Sequence, residues 1–152
     1  MVQKVLFVCL GNICRSPIAD AVFQHLVKEM GTADEWVVDS AGIGGWHVGN
    51  SPDHRARKIL RNHNVEYDGK ARQIEKEDFN NFDYIFGMDE DNIADLKQYA
   101  PADSKAKILL LGDFDPEGKR IIRDPYYDSG SDGFEVCYQQ CMRSCKAFLE
   151  QL

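Results

Sequence analysis

Short strand-like runs alternate with longer helical patterns along the whole sequence. Four segments are rich in β-branched and aromatic residues or are continuously apolar, and each predicts a strand: Lys4–Cys9, Trp36–Ala41, Asp83–Met88 and Ile108–Leu111. Four further segments carry apolar residues at helical spacing: 17–30, Asp53–His63, Glu90–Tyr99 and Gly133–Leu149. Because strands that alternate with helices pair in parallel, this order predicts an α/β fold with an open, four-stranded parallel sheet flanked by helices.

The length and composition fit one domain. The 152 residues are 43% hydrophobic, which is enough for a full core, and we expect a single domain over residues 1–152. The apolar run Val5–Leu10 is too short to span a bilayer, and neither end carries a lipidation motif. We therefore expect a cytoplasmic protein that does not contact membranes.

Charge and cysteine content exclude two further classes of protein. A net charge of -7 argues against a nucleic-acid-binding module, which would have to neutralise phosphates. Five cysteines with no C-x-x-C pair argue against a disulfide-stapled secreted scaffold, so we expect reduced thiols. Cys137, Cys141 and Cys145 recur at helical spacing, which favours packing in the core over a metal site.

Local signals set the ends of the first helix and mark two loops. Ser16 is suited to the N-cap, Pro17 to the first helical position and Gly31 to the stop. A glycine-rich loop follows the second strand over residues 42–52. The stretch Gly112–Gly133 has little apolar periodicity, and we predict that it is a functional loop.

The loop after the first strand carries the main functional signal. It contains, in order, Cys9, Leu10, Gly11, Asn12, Ile13, Cys14, Arg15 and Ser16. The loop leads into a helix N-terminus, whose free backbone N–H groups attract an anion, and Arg15 adds a bidentate guanidinium. Gly11 and Asn12 tolerate the positive φ that lets successive N–H groups point inward. The sequence therefore predicts a phosphate cradle.

A cysteine beneath such a cradle is a candidate nucleophile. The helix N-terminus and Arg15 favour the thiolate of Cys9, and the hydroxyl of Ser16 can stabilise it further. The spacing C-x5-R lets the chain wrap once around a tetrahedral dianion. The same spacing also fits a small buried cysteine that ends a strand and an arginine in a solvated first turn. Spacing alone leaves both interpretations open.

The wider sequence resembles one family. The run Val8–Ala19 resembles the active-site signature of the low-molecular-weight protein tyrosine phosphatases. Further segments resemble the family's general-acid loop, second-strand loop, middle segment and last helix: Asp124–Tyr127, Asp39–Gly42, Ala71–Gln73 with Phe82–Ile85, and Tyr138–Cys141. The resemblance covers most of the chain. It implies a three-layer flavodoxin-like or Rossmann-like fold, with the phosphate loop after strand 1 and no metal or other cofactor.

The resemblance also implies a reaction. Cys9 would attack phosphorus to form a phosphocysteine, Arg15 and the loop amides would hold the oxygens, and Asp124 would act as general acid and base. Taken alone, an aspartate before proline is a common turn opener. The expected substrates are phosphotyrosyl proteins and small aryl phosphates, and inorganic phosphate is the expected product and an inhibitor.

Several residues match the family's supporting positions. Asn12, Ser40 and His63 match positions that brace the phosphate loop through hydrogen bonds, and Ser16 matches the hydroxyl that supports the thiolate. Asp89 matches a carboxylate near that histidine. From the residues alone, His63 is equally typical of a polar helix end and Asp89 of a helix N-cap.

Aromatic residues match the walls of the family's substrate cleft. Trp46, Tyr126 and Tyr127 would favour aryl phosphates and make the site too deep for a seryl phosphate to reach Cys9. Three ordinary half-buried aromatic residues are the alternative interpretation. Ile13 stands where related phosphoarginine phosphatases carry threonine, which favours phosphotyrosine.

Other positions bear on regulation and specificity. The resemblance implies a reversible disulfide between Cys9 and Cys14 under peroxide. Asp128 departs from the glycine that follows the general-acid loop in vertebrate-type members, which puts the local geometry of that loop in question. His47 and Asn50 lie in a loop that varies within the family, so the peptide preference is left open.

Two other functions compete with this interpretation. Arsenate reductases of this fold relay electrons through further cysteines, but here those cysteines crowd the last helix and Asp124 would be idle. A phosphotyrosine-binding module would not need both Cys9 and Asp124. The sequence contains no G-x-x-x-x-G-K-[ST] motif for nucleotide hydrolysis. We expect a monomer, and the sequence leaves open whether exposed aromatic residues support weak self-association. It also leaves open whether Tyr126 or Tyr127 is phosphorylated.

Overall fold

The computed structural model describes residues 2–152 and contains a four-stranded sheet in the order β2-β1-β3-β4. The strands are β1 (Gln3–Cys9), β2 (Trp36–Gly42), β3 (Tyr84–Gly87) and β4 (Lys107–Leu110). Every pair of neighbouring strands is parallel. The predicted open parallel sheet is confirmed, and each strand lies within one residue of its predicted bounds.

Within residues 2–152, five α-helices connect or follow the strands. They are α1 (Arg15–Glu29), α2 (His54–Asn62), α3 (Asp78–Asn81), α4 (Glu90–Tyr99) and α5 (Asp132–Glu150). Short 3-10 helices cover Ala33–Glu35 and Leu111–Phe114. Helix α3 and the 3-10 helices are not predictable from the sequence pattern, because one helical turn is too short to show a 3.6-residue period.

Both faces of the sheet are covered, which gives three layers. Successive side chains of β1 alternate between the faces, so that Val5 and Phe7 join one apolar cluster while Leu6 and Val8 join another. Helices α1, α2 and α5 pack on the first cluster, and α3 and α4 pack on the second. The predicted three-layer arrangement is therefore confirmed.

The strand order determines where a ligand can bind. The chain leaves β1 towards β2 on one side and later returns to β3 on the other side. The carboxyl end of β1 is therefore the point at which the winding direction switches, and such points open a crevice in α/β sheets. The loop after Cys9 lies at this position.

The beginning of α1 differs from the prediction. Cys14, not Ser16, occupies the N-cap position, and Pro17 is the third helical residue. The hydroxyl of Ser16 instead contacts Cys9 and Asn12. The predicted cap is wrong because contacts with the preceding loop engage that hydroxyl.

The end of α1 agrees with the prediction. Gly31 has φ 74°, and its N–H donates to the Lys28 carbonyl at 3.1 Å. The N–H of Thr32 donates to the Val27 carbonyl at 2.8 Å. This pair of bonds is a Schellman motif, which places a left-handed residue directly after the helix.

The last helix anchors the long predicted loop. Arg143 of α5 forms a two-pronged ion pair with Asp115, with both nitrogen–oxygen distances at 2.9 Å. Hydrogen bonds from Arg143 hold the pKa of Asp115 below its ordinary value. Gln140 donates to the carbonyl of Ile121 at 2.9 Å. These contacts hold the segment before α5 against the body of the protein.

The three cysteines of α5 contribute to the core. Cys137, Cys141 and Cys145 are each 1% exposed or less and belong to the cluster under α1. Predicted core packing is confirmed. Within residues 2–152, no group of three or more His, Cys, Asp or Glu residues is placed to hold a metal ion. None of the described helices is long and apolar enough to cross a membrane.

Gly31 provides a stability test with a matched control. A Cβ added at Gly31 or at Gly130 would meet no atom within 4 Å, but only Gly31 has a positive φ. Gly31→Ala should therefore lower the free energy of unfolding by about 1 kcal/mol. Gly130→Ala should leave it unchanged or slightly higher. Urea unfolding measures both free energies, and equal effects of the two substitutions would show that the positive φ of Gly31 does not determine the cost.

Candidate active site

The loop between β1 and α1 turns its carbonyl groups outward. Three carbonyls accept hydrogen bonds from the segment after β2: Cys9 from Ile43 at 2.9 Å, Leu10 from Gly44 at 3.0 Å and Ile13 from Asp53 at 2.8 Å. Among the hydrogen bonds within residues 2–152, none has a backbone N–H of Leu10–Arg15 as its donor. Unpaired N–H groups at a helix N-terminus form a nest that binds an anion.

Asn12 holds this loop in shape. Its φ is 60°, in the left-handed region, as predicted. Its Nδ2 donates to Ser16 Oγ at 2.8 Å and to Ser40 Oγ at 3.0 Å, while its Oδ1 accepts the backbone N–H of Arg72 at 3.0 Å. The predicted contacts of Asn12 and Ser40 with the loop are therefore present. Arg72 was missed as a participant, although it lies in the segment Ala71–Gln73 that resembles the family.

Gly11 makes room for His47 and does not supply the predicted positive φ. It is not among the residues with positive φ. A Cβ at Gly11 would lie only 3.1 Å from Cδ2 of His47, so the missing side chain lets that ring pack on the loop. The expectation of positive φ at Gly11 is wrong, because Asn12 alone makes the left-handed turn in this loop.

Cys9 lies at the base of the loop. Its Sγ is 3.0 Å from Ser16 Oγ, and the residue is 3% exposed. Since Ser16 Oγ already accepts from Asn12, its own hydrogen is free to point at the sulfur. A hydroxyl in this position can donate a hydrogen bond to the sulfur.

Arg15 is a buried cation with spare donors. It is 2% exposed, and its Nη1 donates to Asp89 Oδ2 at 2.6 Å and to the Ile122 carbonyl at 2.9 Å. Its Nη2 is 3.7 Å from Asp124 Oδ2, and its buried Nε has no hydrogen-bond partner among residues 2–152. Burial lowers the pKa of Arg15, but Cys9 and Asp89 more than offset this and raise it. A buried guanidinium with a free donor is suited to an oxyanion.

Asp89 combines two tasks. Its Oδ1 caps α4 by accepting the N–H of Asn92 at 2.8 Å, which matches the helix-cap interpretation. Its Oδ2 holds Arg15. The carboxylate therefore couples the beginning of α4 to the guanidinium of the candidate site.

His63 does not reach the phosphate loop, and the predicted bracing role is wrong. Its Nε2 lies 2.9 and 3.0 Å from the two carboxylate oxygens of Glu135, and its ring stacks on Tyr138 at 3.9 Å. The expected neighbourhood with Asp89 is absent for the same reason. His63 follows α2 directly, and its ring packs against α5.

Asp124 and the predicted aromatic residues meet above the loop. A cleft of about 270 Å³ is lined by Cys9, Asp124, Trp46, Tyr126 and Tyr127, together with Leu10, Gly11, Ile13, Cys14 and His47. Trp46 is 69% exposed and Tyr127 89% exposed, so both lie at the rim. A larger groove of about 1370 Å³ between α1, β2 and α2 contains none of the predicted site residues. The smaller cleft is therefore the candidate active site.

Arg55 anchors the segment that carries Asp124. Its guanidinium donates to the carbonyls of Tyr126 at 2.8 Å and Asp128 at 2.7 Å, and Asp53 holds it from the other side at 3.0 Å. Asp124 Oδ1 accepts the N–H of Tyr126 at 3.1 Å, which fixes the carboxyl group on its own turn. Arg55 is not among the residues predicted from the sequence, because contacts that span 71 to 73 residues leave no local pattern.

The departure at Asp128 has a structural partner. Arg123 binds both carboxylate oxygens of Asp128, at 2.9 and 2.6 Å, across the turn that contains Asp124. Hydrogen bonds from Arg123 lower the pKa of Asp128. A Cβ at Gly133 would overlap this ion pair, so the glycine makes room for it. The ion pair closes the turn from residue 123 to residue 128.

Cys14 lines the same cleft as Cys9. Burial, together with the nearby negative charge of Cys9, raises the pKa of the Cys14 thiol well above its ordinary value. Cys14 therefore stays protonated. Both cysteines are free thiols in the structure.

The fold and the site define an α/β protein that presents a cysteine at the base of a loop with unpaired backbone N–H groups, in the same cleft as a carboxyl group. The family model described as "Low molecular weight phosphotyrosine protein phosphatase" matches residues 4–152. Low molecular weight phosphotyrosine protein phosphatase 1 of Drosophila melanogaster is 55% identical over 152 residues, which covers 99% of this chain and 97% of that protein. The chain belongs to this family of protein-tyrosine phosphatases.

Solved structures agree with this assignment. The crystal structure of Primo-1 superposes with a TM-score of 0.95 at 54% identity and covers 99% of this chain and 98% of its own. The crystal structure of DARP, drosophila arginine phosphatase, superposes with a TM-score of 0.93 at 40% identity, covering 98% of this chain and 97% of its own. The same fold thus occurs in a protein named for a different phosphorylated residue.

The anion site can be tested without turnover. Inorganic phosphate should stabilise the wild type against heat, by about 2.7 kcal/mol at a hundred times its dissociation constant. Arg15→Lys should lose most of this gain, because an ammonium group cannot reproduce the guanidinium fork. Arg123→Gln, which removes a neighbouring exposed arginine, should keep it. Equal phosphate-induced shifts in the two variants would argue against Arg15 as the anion ligand.

Proposed function

We propose that the chain is a cysteine-dependent protein tyrosine phosphatase that hydrolyses phosphotyrosine and small aryl phosphates. Its catalytic residues would be Cys9, Arg15 and Asp124. The observation that carries the proposal is that one cleft contains Cys9 beneath a nest of free N–H groups and Asp124 3.7 Å from the Arg15 guanidinium. Covalent catalysis needs a nucleophile, an anion clamp and a proton donor together.

The first step transfers the phosphoryl group to Cys9. The N–H groups of Leu10–Arg15 and the free donors of Arg15 hold the phosphate oxygens, and their charge-assisted bonds strengthen as negative charge develops. The Cys9 thiolate forms a bond to phosphorus while the bond from phosphorus to the phenol oxygen breaks. Protonated Asp124 gives its proton to that oxygen, which leaves as a phenol.

The second step regenerates the enzyme. A water molecule attacks phosphorus, and the Asp124 carboxylate takes a proton from it. The sulfur–phosphorus bond breaks, inorganic phosphate leaves and the Cys9 thiolate is restored, with Ser16 donating to the sulfur. Released phosphate occupies the same loop and therefore inhibits. None of these steps uses a metal ion or another cofactor.

The cleft walls favour an aromatic leaving group. Trp46 and Tyr127 stand at the rim, and Tyr126 packs on Tyr127 with the ring centres 4.8 Å apart. Aromatic surfaces of this kind can stack on a phenyl ring. Ile13 lines the cleft with an apolar side chain, which supports phosphotyrosine over phosphoarginine. Phosphoarginine is the second candidate substrate, because one similar structure is of an arginine phosphatase.

Phosphate release from matched peptides tests the proposed function. Phosphotyrosyl, phosphoseryl and phosphoarginyl peptides are compared at mildly acidic pH with a chelator present. We expect release from phosphotyrosine, little from phosphoserine, and none from any peptide with Cys9→Ser. Preferential release from phosphoarginine would reassign the substrate. Binding without release would indicate a phosphotyrosine-binding module, and arsenate-dependent oxidation of thioredoxin a reductase.

Asp124→Asn extends the same assay. Loss of the general acid should lower the rate by roughly 10²-fold or more for a phenol that leaves poorly. It should matter much less for a phenol that leaves readily as its anion. An equal loss of rate with both leaving groups would show that Asp124 is not the general acid.

We further propose that Cys14 protects Cys9 from oxidation. Peroxide converts the Cys9 thiolate to a sulfenic acid, and the Cys14 sulfur displaces its hydroxyl to form a disulfide and water. Peroxide inactivation of the wild type should then be reversed by added thiol. In Cys14→Ser it should become largely irreversible. Equal recovery in the two proteins would contradict this role.

A further inference from the structure

The hydrogen bonds that brace the phosphate loop continue into the core. Ser40 Oγ lies 3.4 Å from the Tyr67 hydroxyl, which donates to Asp20 Oδ2 at 2.7 Å. Asp20 belongs to α1 and is 2% exposed, and Gln24 donates to its other oxygen at 2.6 Å. Neither Tyr67 nor Asp20 is among the site residues predicted from the sequence. A chain of side chains therefore links Cys9, through the loop, to a buried carboxyl group.

Each hydrogen bond in this chain has a defined direction. Asn12 Nδ2 donates to Ser40 Oγ, so the single hydrogen of Ser40 is left to point at the Tyr67 oxygen. The Tyr67 hydrogen is committed to Asp20. On the other side, Asn12 donates to Ser16, which leaves the Ser16 hydrogen for Cys9. The amide of Asn12 thus donates in both directions.

Protonation states preserve this direction. Burial and the negative charge of Asp20 raise the pKa of Tyr67, so its hydroxyl keeps its proton. Burial raises the pKa of Asp20 to about 6, and hydrogen bonds from Gln24 and Tyr67 oppose that rise. Asp39 and Cys145 also face this carboxyl group. At neutral pH Asp20 is therefore an acceptor with two donors in place.

The absence of a side chain at Gly69 leaves room for the Tyr67 hydroxyl. A Cβ at Gly69 would overlap both the hydroxyl oxygen and Cζ of Tyr67. The tyrosine ring packs against the apolar cluster under α1 and α2. Residue 69 therefore has to lack a side chain for the phenol to stand between Ser40 and Asp20.

We propose that Tyr67 and Asp20 are positioning residues that hold the phosphate loop in its phosphate-binding shape through Ser40 and Asn12. The proposal rests on the proposed phosphatase function. Without the Tyr67 hydroxyl, Ser40 can turn its hydrogen towards Asn12, and the amide that stabilises a left-handed turn loses an acceptor. Cys9 and the loop N–H groups are then less well oriented for an incoming phosphate.

A double-mutant cycle tests whether Tyr67 acts through Ser40. Tyr67→Phe, Ser40→Ala and the double variant are compared with the wild type by kcat and KM for an aryl phosphate. The rate of Cys9 alkylation by iodoacetate, read on the Cys9 peptide by mass spectrometry, is a second readout. Tyr67→Phe should lower kcat and the alkylation rate about fivefold, as expected for one net hydrogen bond. The double variant should be no worse than Ser40→Ala alone.

Two controls separate positioning from general stability. Tyr84→Phe removes a hydroxyl from a tyrosine that packs on Phe86 and Phe148, away from the loop, and should change neither readout. Asp20→Asn keeps an oxygen that can accept from Tyr67, so it should lose less than Tyr67→Phe. The dependence of the rate on the leaving group should stay as in the wild type in every variant, because Asp124 takes no part in this series of hydrogen bonds.

Three results would overturn the inference. The first is a double variant whose loss of kcat and alkylation rate equals the product of the two single losses. The second is a Tyr67→Phe variant that keeps wild-type kcat and alkylation rate, as Tyr84→Phe should. The third is a larger loss of kcat and alkylation rate in Asp20→Asn than in Tyr67→Phe. A wild type without Cys9-dependent turnover would instead reject the proposed function. The alkylation rates of the four proteins in the cycle would still decide whether Tyr67 and Ser40 act together on Cys9.

Discussion

The hydrogen bonds of the Asn12 side-chain amide are the interactions on which the shape of the candidate site depends. One side chain donates to Ser16 and Ser40 and accepts from the backbone of Arg72, and so stabilises a backbone with φ 60°. That left-handed residue lets the loop carbonyls point outward and leaves the N–H groups free. An isolated loop could not keep so many donors unpaired, because each would find another partner. The proposed anion site is therefore held in shape by contacts that lie outside it.

The fold supplies these contacts through the strand order. Because β1 lies between β2 and β3, the end of β2 passes beside the phosphate loop and brings Ser40 to it. The beginning of α4 follows β3 on the other side and brings Asp89 to Arg15. The loops at the switch point of the sheet thus hold the cradle from two sides, while the segment before α5 carries Asp124 over it. Contacts from segments on both sides therefore support the proposed anion site.

Sequence reasoning succeeded where a local pattern carries the information. The strands follow from apolar runs, and the placement of Cys9 and Arg15 follows from a strand, a loop and a helix N-terminus in succession. Sequence reasoning failed where a side chain binds a partner that is distant in the sequence. His63 was expected at the loop but pairs with Glu135 across 72 residues, and Tyr67 reaches Asp20 across 47. Such choices depend on packing between elements, which no periodicity records.

The central claim is that phosphotyrosine transfers its phosphoryl group to Cys9. Rapid acid quench of the wild type during turnover of a phosphotyrosyl peptide, followed by peptide mapping with mass spectrometry, tests this claim most directly. If Cys9 is the nucleophile, the peptide that contains Cys9 should gain the mass of one phosphoryl group within a single turnover, and the same peptide of Cys9→Ser should not. Turnover with no labelled cysteine, or with the label on another residue, would contradict it.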